Sequence, residues 1–225
     1  RRAMNGLVAK RLKAFPDAEE LERLRDQGRA IRALAVARLP ELLEELEARC
    51  THNGMQVHWA ETGEEANGIV LDILRRAGAS ALLKGKSMVS EEMGLNEHLA
   101  AAGIEPVETD LGELIIQLAQ EPPSHIIAPA VHKDRHEIAE LFRERLPEAP
   151  AGERIEDLTA AARAYMRGRF RGISAGLSGV NFAVAETGTL CLVENEGNGR
   201  LSTTAPDVHI AVMGIEKVIA RLDQL

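Results

Sequence analysis

Three stretches of this sequence set charged and hydroxylic side chains beside glycine or proline: Lys84-Gly85-Lys86-Ser87, Pro129–Asp134 around His132, and Val180–Thr204. Ammonium groups, a serine hydroxyl and backbone amides freed by glycine are what a carboxylate or phosphate site is built from. The Lys84–Ser87 loop is not a Walker motif. That motif needs a glycine five positions before its Gly-Lys pair, and Ser80 stands there, with Gly78 the nearest upstream glycine. The loop does follow a predicted strand, Ser80–Leu83, and open α/β sheets collect ligands at strand carboxyl ends. Lys84, Lys86 and Ser87 are therefore candidate ligand-binding residues.

His132 and His136 are four apart, a spacing at which two imidazoles can share a metal on a helix. The sequence lacks the glutamate of H-E-x-x-H and shows no third ligand, so no metal is expected. His132 follows a segment expected to be extended, Ser124–Ala128, and could exchange a proton near neutral pH. In the third stretch, Glu186-Thr187-Gly188-Thr189 joins two β-rich runs, Val180–Ala185 and Leu190–Val193, the second expected as a strand over Thr189–Glu194, and a polar cluster from Glu194 to Arg200 follows. Two readings stay open, a hairpin with a solvated loop or one wall of a binding site. The second makes Asn181, Glu186, Thr187, Thr189, Asn195 and Arg200 candidates, with Ser178 facing the same cleft. No nucleophile elbow is present: in Gly176-Leu177-Ser178-Gly179 the second glycine comes one position early.

The elements that must position these residues alternate. Apolar periodicity predicts helices over Ala18–Ala37 and Glu41–Cys50, with Pro40 marking the restart. Met55–Trp59 reads as a strand. Thr62 and Glu65 form a capping-box pattern before a helix to Arg76. Further helices are expected at Glu91–Ala102, Leu111–Gln120, Asp134–Arg145 and Glu156–Arg171. Extended segments are expected at Glu105–Glu108, Ile173–Gly179 and Val208–Met213, and a last helix begins over Glu216–Leu222. Such alternation with short connections favours parallel βαβ units. The expected fold is α/β, with a mixed, mostly parallel sheet flanked by helices. A helical N-terminal arm over residues 1–52 precedes an α/β domain over residues 53–225.

The bulk properties narrow the function. Of the 225 residues 45% are hydrophobic but only 3% aromatic, so the core must be aliphatic. A net charge of −8 argues against a nucleic-acid-binding surface. No apolar run approaches the roughly 18 residues of a membrane span. Arg1-Arg2 leads into no apolar core, so a cytoplasmic location is expected. Cys50 and Cys191 are far apart and outside any C-x-x-C pair, which predicts reduced structural thiols rather than metal ligands.

Several blocks of the sequence are similar to one family. They are Lys86–Glu92 (KSMVSEE), Gly103–Glu113 (GIEPVETDLGE), Pro123–His132 (PSHIIAPAVH), Asn181–Thr189 (NFAVAETGT), Asn195–Asn198 (NEGN) and Pro206–Ala211 (PDVHIA). In this order they resemble the LUD domain of the bacterial lactate-utilisation iron–sulfur proteins, most closely the B-component type, from about residue 20 to the C-terminus. The resemblance implies a fold of the NagB/RpiA/CoA-transferase group and a part in oxidising L-lactate to pyruvate alongside other lactate-utilisation subunits. It also implies two [4Fe–4S] clusters in the full-length family member, held by a ferredoxin-like region that this sequence does not contain. No cofactor is therefore expected in this chain, which should be redox-silent alone. The expected ligand is a small carboxylate- or phosphate-bearing molecule, or a partner subunit, in a cleft lined by Lys84–Ser87, His132 and the Glu186–Arg200 segment. In related folds an acidic residue acts as nucleophile, and Glu186 is the candidate here, which leaves a CoA-transferase-like or ligase-like enzyme and a non-catalytic assembly module as alternatives.

Overall fold

A computed structural model describes residues 2–125 and 128–225 of the chain. The contacts divide it into two compact units, residues 1–57 with 182–190 and 215–225, and residues 58–181 with 191–214.

The larger unit is an α/β sandwich built on a four-stranded parallel sheet. Its strands are β1 (Ala81–Lys84), β2 (Glu105–Glu108), β3 (Ala175–Gly179) and β6 (Val208–Val212), in the order β2-β1-β3-β6. All three pairings are parallel, and the register sets Lys84 beside both Glu108 and Leu177. Adjacent side chains on a strand point to opposite faces, and Leu82 and Leu83 do so in β1. Leu82 packs with Val70, Leu71 and Leu74 of helix α4 (Gly63–Arg76) and with Leu95 and Leu99 of α6 (Leu95–Ala101). Leu83 packs with Leu114 of α7 (Leu111–Ala119), Phe142 of α8 (Arg135–Arg145) and Leu158 of α9 (Ile155–Gly172). Helices thus cover both faces, which is why β1 reads as a short continuous apolar run, Ala81-Leu82-Leu83.

Local signals fix the helix starts. Thr62 caps α4 by accepting the Glu65 N–H, while the Glu65 carboxylate takes the N–H of Glu61 rather than that of the cap residue. Ser87 caps α5 (Met88–Glu92) through the Ser90 N–H. Asp110 caps α7 by accepting from Gly112 and Glu113 at 3.0 and 3.1 Å. Asp134 and Glu137 complete a reciprocal capping box on α8.

The smaller unit holds α1 (Arg2–Ala14), α2 (Ala18–Ala37) and α3 (Leu39–His52), with Pro40 in the first turn of α3. These accompany a three-stranded sheet ordered β5-β4-β7, from β4 (Phe182–Val184), β5 (Thr189–Cys191) and β7 (Val218–Ile219). Strands β4 and β7 are parallel, with Ala183 opposite Val218 and Val184 opposite Ile219. Leu42, Leu46 and Cys50 of α3, Val184 of β4 and Ile219 of β7 are all buried.

Four expectations need correction. Residues 55–59 join neither sheet. Strand β5 ends at Cys191, three residues short of Glu194. Glu216–Leu222 is not a helix: one-turn 3-10 segments at Ile215–Lys217 and Leu222–Gln224 flank β7, because the β-branched pair Val218-Ile219 finds a ladder partner in β4. The polar cluster before Ser202 is partly helical, as α10 (Asn198–Thr204). The extended segment expected over Ser124–Ala128 includes residues 126 and 127, which lie outside the described residues.

Candidate functional site: a lysine–carboxyl cleft

At the carboxyl ends of β1 and β3, Gly85, Lys86, Ser178, Leu192–Asn195, Asn198 and Gly199 line a shallow, partly open cleft. The loop–helix segment beyond β5 can close over the strands because Gly176 of β3 has no side chain. A Cβ there would collide with the Ser202 carbonyl of α10. Asn198 of α10 reaches inward, donating to the Thr109 hydroxyl at 3.2 Å, and that hydroxyl donates to the Lys84 carbonyl at 2.7 Å.

The two lysines of the loop have different surroundings. Lys84 is 1% exposed, and its ammonium donates to Glu91 at 2.8 Å, Asn96 at 2.7 Å and Glu108 at 2.7 Å. Burial pulls its pKa down, but Glu108 and Glu91 together outweigh that and raise it. Its charge is fully engaged within the protein. Lys86 is half exposed, lines the cleft and pairs with Asp110 at 2.5 Å, with Glu196 further off at 3.9 Å. Partial burial lowers its pKa, and the hydrogen bond and charge of Asp110, followed by Glu196, more than restore it.

The same region holds a surplus of carboxyl groups. Glu91, Glu108, Asp110, Glu113 and Glu196 face only Lys84 and Lys86. Glu108 is 4% exposed; Lys84 and Asn96 both donate to its Oε1, while Oε2 is buried with no N–H or hydroxyl donor. The neighbouring acid that interacts with Glu108 is Glu113. Burial, then the charges of Glu108 and Asp110, push Glu113 up to about 8. Burial and Asp110 likewise raise Glu196, against the pull of Lys86. The accessible Lys86 ammonium of the cleft thus neighbours one carboxyl, Glu113, that holds its proton near neutral pH and another, Glu196, whose proton affinity is raised, a set suited to exchanging protons. Ser178 adds a second proton-exchanging contact. Its hydroxyl lies 2.9 Å from His209 Nε2, and burial lowers the pKa of that imidazole.

Of the residues singled out from sequence, Lys86 and Asn195 line this cleft and Lys84 lies buried beside it. Ser87 serves as the cap of α5. Asn181 steadies the wall, accepting the Val193 N–H at 2.7 Å. Arg200 is 77% exposed and folds back on Glu194. His132 lies in the loop before α8, between Ser124 at 2.7 Å and Glu121 at 2.9 Å. This resembles a Ser–His–Glu triad, but the Ser124 hydroxyl already donates to the Pro129 carbonyl and is not poised as a nucleophile. His136 pairs with Glu153. Glu186, Thr187 and Thr189 belong to the smaller unit. There Glu186 accepts the Leu222 N–H at 3.2 Å, Thr187 donates to Thr189 at 2.8 Å, and the Thr187 carbonyl accepts from Asn53 at 2.9 Å.

Sequence reasoning did not single out Glu108, Asp110, Glu113 or Glu196. The available signal was the spacing Glu108-x-Asp110-x-x-Glu113 across a strand end and a helix start. Among the described residues no cluster of three or more His, Cys, Asp or Glu side chains is arranged to hold a metal. A [4Fe–4S] cluster takes four cysteine thiolates. The chain has two cysteines, one of them buried in α3 with its thiol against the Gly188 carbonyl, so its residues do not fit that group. Among the described residues no helix is long and apolar enough to cross a membrane.

Comparison with known proteins agrees with the fold. The LUD-domain family model matches residues 43–225. The chain is 44% identical over 220 residues to the uncharacterized electron transport protein YkgF of Escherichia coli, covering 96% of this chain and 45% of that protein. It is 41% identical to lactate utilization protein B of Bacillus licheniformis, covering 99% of this chain and 46% of that protein. The same 41% holds for lactate utilization protein B of Bacillus subtilis, covering 96% and 45% respectively. The chain thus spans about half the length of the curated relatives it matches. No solved structure gives a significant match. With its parallel sheet and the extent of these matches, the chain belongs to the LUD-domain family.

Proposed function

We propose that this chain is the LUD portion of a B-type component of a bacterial L-lactate oxidation system. In that system L-lactate is converted to pyruvate and electrons pass through iron–sulfur clusters held outside these residues. The observation that carries this reading is the 41% identity to lactate utilization protein B across 99% of the chain. Within that system the LUD portion binds a small carboxylate in the Lys86 cleft. Support comes from the donors gathered there: the Lys86 ammonium, the Ser178 hydroxyl and the amide groups of Asn195 and Asn198, at the strand carboxyl ends where α/β sheets take ligands. Lys86 would take the carboxylate by a charge-assisted hydrogen bond and the neighbouring amides would orient it.

The test is a thermal-shift screen of the 225-residue chain against L-lactate, pyruvate, CoA esters and nucleotides, paired with growth on L-lactate of a strain whose lactate-utilisation protein B carries Lys86→Ala. Stabilisation by L-lactate or pyruvate that Lys86→Ala abolishes, together with lost growth, supports the reading. Stabilisation by CoA esters alone would replace it with a CoA-dependent activity. Lost growth with no shift from any ligand would favour a docking role for the same surface.

A further inference from the structure

The cleft poses an electrostatic conflict for the carboxylate proposed above. Its accessible ammonium, that of Lys86, already faces two carboxyl groups, and the cluster among the described residues holds five against two lysines. A further anion entering a partly desolvated site of that sign would be repelled unless charge is removed elsewhere.

The geometry shows where. Asp110 is fixed: its side chain is 4% exposed, Oδ2 lies 2.5 Å from Lys86, and Oδ1 accepts two N–H groups of α7. Glu196 is the loose partner, 37% exposed, 3.9 Å from Lys86 and carried on the loop that walls the cleft. Lys86 itself lines the cleft, and Glu196 is the more distant of its two counter-charges. An incoming carboxylate would take the place of Glu196 as the second counter-charge of Lys86, leaving Glu196 against Asp110 and the ligand with no cation of its own. A glutamate so placed binds a proton.

Resting on the carboxylate-binding reading, we propose that the Lys86 cleft takes up a small α-hydroxy or α-keto carboxylate together with one proton, the anion docking on Lys86 and the proton settling between Asp110 and Glu196. Net charge in the cleft is then unchanged by binding. The other charged groups facing the site do not take this role. Lys84 is saturated by Glu91 and Glu108, and Glu113, pushed up to about 8 by burial and by Glu108, already holds its proton near neutral pH. Glu194 is tied to the Arg200 N–H and guanidinium, and His209 is reached only through Ser178.

Isothermal titration of the 225-residue chain with pyruvate and with L-lactate tests this, at several pH values from about 5.5 to about 8.5 and in two buffers of different ionisation enthalpy. Once pH exceeds the pKa of the unliganded pair, the association constant should fall about tenfold per pH unit, and the buffer-dependent heat should approach one proton taken up per ligand. Glu196→Gln should bind at the upper pH as tightly as at the lower, with no buffer-dependent heat, its fold checked by circular dichroism. Binding without proton uptake would overturn the linkage and leave the carboxylate site standing. Linkage that persists in Glu196→Gln would overturn the assignment to Glu196. No binding of either acid at any pH would overturn both this inference and the reading it rests on.

Discussion

Replacing Glu113 by glutamine isolates the cost of crowding carboxyl groups at the start of α7. In the folded chain the Glu113 carboxyl titrates at about 8, against an ordinary value of 4.5. At about 1.4 kcal/mol per unit, that gap of about 3.5 units corresponds to about 5 kcal/mol. The sign follows from proton counting. Between the two values the folded state keeps the proton and the unfolded state has released it, so stability falls as pH rises. The loss is absent near pH 4, about 2 kcal/mol at pH 6, and approaches its full size above pH 8. Glutamine is neutral throughout and nearly isosteric with the carboxyl it replaces.

Glu113→Gln should therefore match the parent chain near pH 4 and exceed it increasingly at higher pH. At about 2–4 °C per kcal/mol for a chain of this size, the melting temperature should rise by about 10 °C or more at pH 8.5. Thermal melts followed by far-UV circular dichroism at about pH 4.5, 6.5 and 8.5 measure the divergence. Parallel pH profiles for the two proteins, or a variant less stable than its parent at pH 8.5, would refute the account of Glu113 as a carboxyl held protonated by burial and the charges of Glu108 and Asp110.

Three further outcomes follow from the same coordinates. Lys84→Met leaves Glu108 buried without its cation and should cost about 3–5 kcal/mol in urea unfolding. Gly188→Ala should destabilise the chain by about 1–3 kcal/mol, since Gly188 has φ +69° and an added methyl would sit 2.9 Å from the α3 backbone at Arg49 and Cys50; protection of α3 amides from hydrogen exchange reads the effect. His209, whose pKa burial lowers, should titrate by NMR below the ordinary histidine value and move toward it in Ser178→Ala only if the Ser178 contact itself holds the ring neutral.

How much of this was legible in the chain depends on how local the cause is. The start of α4 at Thr62, of α7 at Asp110 and of α8 at Asp134 could be read because cap and apolar stripe lie within one turn of each other. The parallel sheet was legible from alternation of short strands and helices. The helix α10 was not, because Asn198-Gly199-Arg200-Leu201-Ser202-Thr203-Thr204 is poor in strong helix formers. Its place comes from packing on the bare backbone of Gly176, 26 residues before Ser202 and in no local pattern. Lys86 could be picked out by residue type beside Gly85, and Asn195 as part of the polar cluster Glu194–Arg200. That Lys84 would be consumed by Glu108 could not, since it follows from the β1–β2 register that sets those two residues side by side.

That register also explains why two lysines separated by one glycine are so unlike. Lys84 is the last residue of β1 and turns inward beneath the loop, where three acceptors within 2.8 Å surround its ammonium. Lys86 lies past the strand, where Gly85 donates its N–H to the Leu177 carbonyl at 2.8 Å and the chain turns over the sheet edge. Lys84 thus neutralises the acidic end of β2 from within, at a burial that only saturated hydrogen bonding makes tolerable. Lys86 is left partly solvated, with one fixed carboxylate and one loose one. A charge that can exchange partners without being buried bare is what reversible binding of a small anion needs, and within this loop Lys86 alone has it.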